Sequence, residues 1–279
     1  MPVVVAAERG LFAQHGLRVE LVELSPSEHM SALLSGRVDV LSPTSFTTLF
    51  GVFANNPEEL YALTPGAEVL ENRPVYGFIV RGSSQAREVK ELSGQVMAIN
   101  PFTELNVKMI FAAAGASPPE TVVVTRDAAL EAVRKGVAVA AIMDQPALSI
   151  AARSPDFRLI EPNPRARYIG SPYWSGAGAV RRETWTKRES AVREYLASID
   201  AAISLIRGDE AGERVRMLKA LGIDESVAAE CGGYYFPLTT QPVPTDSLQL
   251  TVKAMVSARL LPAPIDVQHL FPPTLYGTP

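Results

Sequence analysis

The sequence predicts an α/β protein with two similarly wired lobes, and three observations carry that prediction. Helical and strand patterns alternate along the first half of the chain. One unit, a helix end, a glycine, a short strand and a polar loop, occurs twice, as ALLSGRVDVLSPTS (32–45) and AVRKGVAVAAIMDQP (132–146). After residue 150 the pattern gives way to a Pro- and Gly-rich stretch, RLIEPNPRARYIGSPYWSGAGAVRR (158–182), and then to mostly helical segments.

Each element has a local reason. Pro2 suits the first helical position, where its missing N–H would be unpaired anyway. Val4, Ala7 and Leu11 recur at helical spacing, so one helix is expected up to Gly16. LRVELVEL (17–24) alternates apolar and polar residues like a strand. SEHMSALLSG (27–36) reads as a helix with Ser27 as N-cap and Gly36 as its left-handed stop. RVDVLS (37–42), ELYALT (59–64), YGFIVRGSS (76–84), VMAIN (96–100), ETVVVT (120–125) and VAVAAIM (137–143) read as strands. PTSFTTLFGVF (43–53) and ELNVKMIFAAAG (104–115) read as helices behind polar loops, and Asp127 as the cap of AALEAVRKG (128–136). The alternation predicts parallel pairing. AVREYLASIDAAISLIRG, GERVRMLKALG and TDSLQLTVKAMVSARLL are helical, and a Pro-rich tail closes the chain.

The 279 residues are 47% hydrophobic and 20% charged, enough apolar material for a sizeable core. A net charge of −4 with scattered Lys and Arg argues against nucleic acid or an anionic membrane as partner. The one cysteine, Cys231, forms no internal disulfide and reads as a small buried hydrophobe. The longest apolar runs are too short to span a bilayer. The N-terminus shows no export signal, which fits either a cytoplasmic protein or the mature or trimmed form of an exported one.

Chemistry is expected at three polar loops, each at a strand's carboxyl end, where open α/β sheets bind ligands. Ser42, Thr44 and Ser45 precede a helix, so hydroxyls and free N–H groups converge there on an anion, or else simply cap the helix. Asn100, Phe102 and Thr103 are the counterpart in the second lobe: a donor–acceptor, a ring to pack on a ligand body, and a hydroxyl, or a plain cap with Phe102 in the core. Asp144 and Gln145 offer an acceptor for an amine or ring N–H, or a surface turn before Pro146. Tyr173 and Trp174 are further candidates for the cleft wall, with Tyr76 nearby in the same role. No metal or cofactor is expected, since His15, His29 and His269 lack ligand spacing. Neither a nucleophile elbow nor a P-loop occurs, and SGAGAV (175–180) lacks the full dinucleotide fingerprint. Sequence alone does not bring Glu104, Asp144 and His29 together.

VAAERGLFAQHGLRVELVE followed by ALLSGRVDVLSPTS resembles the solute-binding proteins of ABC importers for sulfonates, taurine, nitrate and thiamine-pyrimidine precursors, the NMT1/THI5-like family. The matching positions are Ala6, Gly10, Leu11, Phe12, Gly16, Leu17, Val19, Leu34, Ser35, Gly36 and Asp39, with Asp144 and Pro146 in the second lobe. The ending MVSARLLPAPIDVQHLF is similar as well. The resemblance implies a type II periplasmic-binding-protein fold with ligand held between lobes 1–80 plus 172–279 and 81–171. It implies crossings at IVRGSS (79–84) and IGSPYW (169–174), with Arg81, Gly82, Gly170 and Ser171 as hinge residues. It implies a small polar or anionic ligand and, if the protein is exported, an ABC permease as partner and a periplasmic location. Family members have a strand and loop before the first helix that this sequence lacks. The neighbouring strand edge is therefore expected to be covered by another segment or another molecule. The alternative on the same fold is a cytoplasmic enzyme, a lyase or decarboxylase of small aromatic acids. The family's cysteine-rich synthase is disfavoured by the single cysteine. A sensor domain detached from a regulator is the remaining class.

Overall fold

The computed structural model describes residues 2–25, 27–220, 222–273 and 275. The expected first helix is divided into α1 (Pro2–Glu8) and α2 (Leu11–Gln14), because Gly10 takes up a left-handed conformation, φ 66°, between them. Val5, Ala6, Leu11 and Phe12 face inward, and Val4 is exposed. The segment 17–24 forms no strand. A strand exists only through a ladder, and no described segment pairs with this one, so its Val19, Leu21 and Val22 stay exposed.

The chain continues through α3 (His29–Leu34), β1 (Val40–Ser45), α4 (Phe46–Asn55), β2 (Leu60–Pro65), β3 (Glu68–Val69) and β4 (Tyr76–Arg81). Then come β5 (Val96–Ile99), α5 (Glu104–Ala113), β6 (Glu120–Val123), α6 (Arg126–Lys135), β7 (Ala140–Asp144), α7 (Ala147–Ala152), β8 (Phe157–Pro162) and α8 (Pro164–Tyr168). β9 (Tyr173–Trp174), β10 (Gly176–Arg181), α9 (Arg182–Gly208), α10 (Glu210–Ala220), α11 (Glu225–Glu230) and α12 (Thr245–Ser257) complete it. Two caps differ from expectation. Glu28, not Ser27, precedes α3. Thr125, two residues earlier than the expected Asp127, caps α6 by accepting from the Ala128 N–H, and Gly136 closes that helix in the left-handed region.

Three sheets result. The first lobe holds β1-β10-β2, the second holds β6-β5-β7-β4-β8, and the ribbon β3-β9 lies between them in the chain path. Only β5 with β6 and β5 with β7 pair in parallel among the described strands; every other pairing is antiparallel. The expectation of parallel pairing fails for β4, β8 and β10 because these strands enter or leave through the ribbon rather than through a helical crossover.

The same topology moves the first expected crossing. β4 pairs along its length with β7 and β8, so residues 76–80 belong to the second lobe. Arg81 and Gly82 sit at the far end of β4, where the Arg81 guanidinium lies against Gly136 and Gly82 against the Pro155 carbonyl. Gly170 and Ser171 do lie next to the ribbon. Gly170 is there for close packing, since a Cβ would meet the Leu250 side chain of α12 at 2.6 Å. β1 is bonded only to β10, so its outer edge has no strand partner among the described residues. No described strand covers that edge, and Ser42 and Pro43 are exposed on it.

One hydrophobic cluster runs through both lobes. Phe46, Phe50 and Leu60 of the first and Phe78, Ile99 and Phe111 of the second join through Tyr173, Trp174 and the α12 residues Leu248, Val252 and Met255. A second cluster seats α1 and α2 on α9. A third fills the opposite face of the five-stranded sheet, beneath α6 and α7. No helix among the described residues is long and apolar enough to cross a membrane.

Candidate functional site

Where β1 runs into α4 and β5 runs into α5, the two lobes enclose a cavity of about 240 Å³. The first lobe lines it with His29, Thr44, Ser45, Thr47 and Thr48, and the second with Pro101, Phe102 and Leu105. The His29 and Phe102 rings meet across it at 5.7 Å between centroids. A more open hollow of about 390 Å³ lies beside Arg73–Pro74 and α10, but there Arg73 and Arg214 both bond to Glu210. The cleft cavity is the candidate site because both lobes build it and both helix starts open into it.

The first-lobe wall is a hydroxyl cluster. Ser45 is the N-cap of α4: its extended backbone starts the helix, and its Oγ accepts from the Thr48 N–H at 3.2 Å. The same Oγ contacts the Thr48 Oγ1 at 2.8 Å and the Thr47 Oγ1 at 3.0 Å. Both readings of Ser45 therefore hold at once, cap and cavity wall. Thr44 is buried and lines the cavity. Ser42 does not line it. It lies beside the Tyr195 phenol of α9, which burial pushes up to about 12 against a hydrogen bond with Ser42. The β1 register shift between Leu41 and Thr44 separates these neighbouring residues in direction.

The second-lobe wall is finished differently. The Asn100 Oδ1 accepts from the Phe102 N–H at 3.0 Å. The Asn100 carbonyl accepts from both the N–H and the Oγ1 of Thr103, at 3.0 and 2.9 Å. The Asn100 oxygens and the Thr103 hydroxyl are thus taken by the turn, and neither residue lines the cavity. Phe102, 46% exposed, stands out from the core into the cleft. Asp144 ends β7 directly opposite Tyr76, and the two share one face of the sheet. Gln145 turns away: its Oε1 accepts from the Ser149 N–H at 3.3 Å and the Ser149 Oγ at 2.8 Å, holding the start of α7.

Tyr173 and Trp174 are core residues, 2% and 7% exposed. The Tyr173 hydroxyl donates to the Asn106 Oδ1 at 2.8 Å, and the Asn106 amide donates to the Phe102 carbonyl at 3.2 Å. Tyr173 thus acts on the Phe102 loop through Asn106 instead of lining the cavity. The residues that sequence reasoning missed are Asn106 and Arg165, and His29 was named there only beside Glu104 and Asp144. No spacing rule marks Arg165 in PNPRAR. The Arg165 guanidinium carbon lies 4.0 Å from the Tyr76 ring centroid and 5.9 Å from that of Tyr173. Burial raises the pKa of both phenols, with Arg165 opposing the rise, so both stay protonated. Among the described residues no group of three or more His, Cys, Asp or Glu is arranged to hold a metal ion.

A family model described as NMT1/THI5 like matches residues 1–164. The chain belongs to the NMT1/THI5-like family. Solved structures agree on the fold. The alkanesulfonate-binding protein SsuA from Xanthomonas axonopodis pv. citri, bound to MOPS, is 19% identical over 97% of this chain and 93% of its own, with a TM-score of 0.75. The periplasmic aliphatic sulphonate binding protein SsuA from Escherichia coli is 19% identical over 100% and 91%, with a TM-score of 0.74. The desulfurization enzyme DSZB is 14% identical over 97% and 92%, with a TM-score of 0.68. No curated protein matches the chain by sequence. Together with the two sheets and their ribbon, these likenesses make this NMT1/THI5-like chain a two-lobed periplasmic-binding-protein fold.

Proposed function

We propose that the protein is the solute-binding component of an ABC import system that closes over a small polar organic molecule with an anionic head. The observation that carries this reading is the cavity between the two helix starts, walled by hydroxyls on one lobe and by Phe102 on the other. Helix N-termini present free N–H groups to the polar groups of such a ligand. Thr44, Ser45 and Thr48 add donors, and Phe102 and His29 offer apolar surface for the ligand body. Closure turns about the β3–β9 ribbon, and the lobes divide close to residues 75 and 172. The sulfonate-binding neighbours support a ligand of sulfonate type, and those named periplasmic support a place outside the cytoplasm beside a permease.

The second reading, an enzyme on the same fold, has one observation in its favour. His29 lines the cavity with its Nδ1 buried and without a hydrogen-bond partner, a group able to move a proton. Titration calorimetry with taurine, ethanesulfonate and nitrate, followed by chromatography of the mixture, separates the two. Saturable binding with the ligand recovered unchanged is the expected result. Steady product formation, or no saturable ligand in the set, overturns the import reading.

A further inference from the structure

PNPRAR places two arginines two residues apart on the short helix α8, and the fold treats them oppositely. Arg167 is exposed and takes both oxygens of the buried Glu161 carboxylate, at 2.9 and 3.0 Å. Arg165 turns inward onto the Tyr76 ring, and its Nε is buried without a hydrogen-bond partner. The groups that act on it most are the phenols of Tyr76, Tyr173 and Tyr234, and no carboxylate is among them. The Tyr76 hydroxyl is likewise buried without a hydrogen-bond partner. Buried polar groups are as a rule hydrogen-bonded, and a buried charge is paired. A guanidinium over a ring engages through its face, and its N–H donors lie in its plane, at right angles to that contact. The Tyr76 hydroxyl takes at most one of the fork's five N–H donors, and the buried Nε is left without a partner.

We propose that Arg165 is the anchor for the oxyanion head of the ligand, a sulfonate or carboxylate, at the hinge end of the cleft, with the Tyr76 hydroxyl as a second donor. This rests on the ligand-binding reading above. Tyr76 starts β4 opposite Asp144, at the carboxyl end of β7 where open sheets take ligands. Tyr173, whose ring centroid is 5.9 Å from the guanidinium, reaches the Phe102 loop through Asn106, so the anchor and the cavity belong to one framework. The helix that carries Arg165 is also pinned to the crossing. The fully buried Asn163 accepts from the Val75 N–H at 2.9 Å and donates to the carbonyls of Leu70 and Arg73, between the ribbon and β4. An anion drawn to Arg165 thus bears on the segment about which the lobes turn.

The test is calorimetric titration of the full chain with ethanesulfonate and with its neutral isostere ethanesulfonamide, on wild type, Arg165→Gln, Arg165→Lys and Tyr76→Phe. Expected are ethanesulfonate binding to wild type well above that of the sulfonamide, a loss of about 100-fold in Arg165→Gln, and a smaller loss in Arg165→Lys and Tyr76→Phe. Circular dichroism checks that each variant is folded; should Arg165→Gln not fold, Arg165→Lys decides, with a loss of ethanesulfonate binding and unchanged sulfonamide binding expected and undiminished ethanesulfonate binding overturning the anchor. Wild-type binding of the two ligands with equal affinity, or undiminished ethanesulfonate binding by a folded Arg165→Gln, overturns the anchor and leaves the import reading standing. Wild type that binds none of taurine, ethanesulfonate and nitrate overturns the import reading, and the anchor with it.

Discussion

The two strand-to-helix junctions that face each other across the cleft start alike and are finished differently. At β1–α4 a side chain does the capping: Ser45 accepts from the Thr48 N–H and gathers Thr47 and Thr48 around it. At β5–α5 the turn caps itself: Asn100 takes the Phe102 and Thr103 donors, and the Thr103 hydroxyl makes no cap bond to α5. The first solution leaves hydroxyls on the cavity wall. The second consumes its polar groups internally and lifts an aromatic ring into the cleft. Similar wiring therefore gives unlike walls, and the unlikeness suits a ligand with a polar end and an apolar body.

The largest test asks whether the lobes are separate cores. Phe46 and Phe111 sit on opposite lobes but in one continuous cluster. Phe46→Ala and Phe111→Ala should each cost about 3–5 kcal/mol, and each should lower one shared unfolding transition. Two resolved transitions in calorimetry, with only one of them moved by each substitution, would break the shared core. Next comes the contrast between the walls. Ser45→Ala should cost about 1 kcal/mol as a lost cap and weaken ligand binding as well. Phe102→Ala should stay within about 0.5 kcal/mol of wild type, as for a surface side chain, while weakening binding by a comparable factor. A large stability loss in Phe102→Ala would return that ring to the core.

The smallest effect belongs to the first lobe. Glu213 on α10 lies between Arg216 and Arg9 and ties the first helices to α10, with Arg216 reaching on to Glu8. Hydrogen bonds from Arg216, and then from Arg9 against the cost of burial, hold the Glu213 carboxyl below its usual value. A carboxyl lowered in the folded state contributes stability above its ordinary titration range and loses it as pH falls through the lowered value. Thermal midpoints from pH 7 to pH 3 should therefore fall more steeply for wild type than for Glu213→Gln. Parallel curves would remove Glu213 from the acid response.

The periodic elements were legible in the sequence because their patterns follow from local geometry. The apolar runs of β4, β5 and β7, the helix of ELNVKMIFAAAG and the left-handed stop at Gly136 needed no partner to be read. LRVELVEL misled because its alternation is a property of the segment, whereas a ladder is a property of two segments. At the site, Thr44, Ser45 and Phe102 were read from their places beside helix starts. Ser42 and Gln145 carried the same local signal and are used elsewhere, on Tyr195 and Ser149.

By itself the sequence determined the α/β class, most of the elements between residues 29 and 144, and the family, since hydrophobic period, caps and glycine stops act over a few residues. The tertiary structure decided what depends on distant partners. It placed β4 in the second lobe by pairing it with β7 and β8. It set His29 against Phe102 across the cleft. It separated Arg165 from Arg167, identical side chains two residues apart, by stacking the first on a buried tyrosine ring and leaving the second exposed on a carboxylate. That last choice is invisible locally because a charge is defined by what surrounds it, and the surroundings of Arg165 come from Tyr76 of β4, far upstream, and from Tyr173 of the ribbon downstream of it.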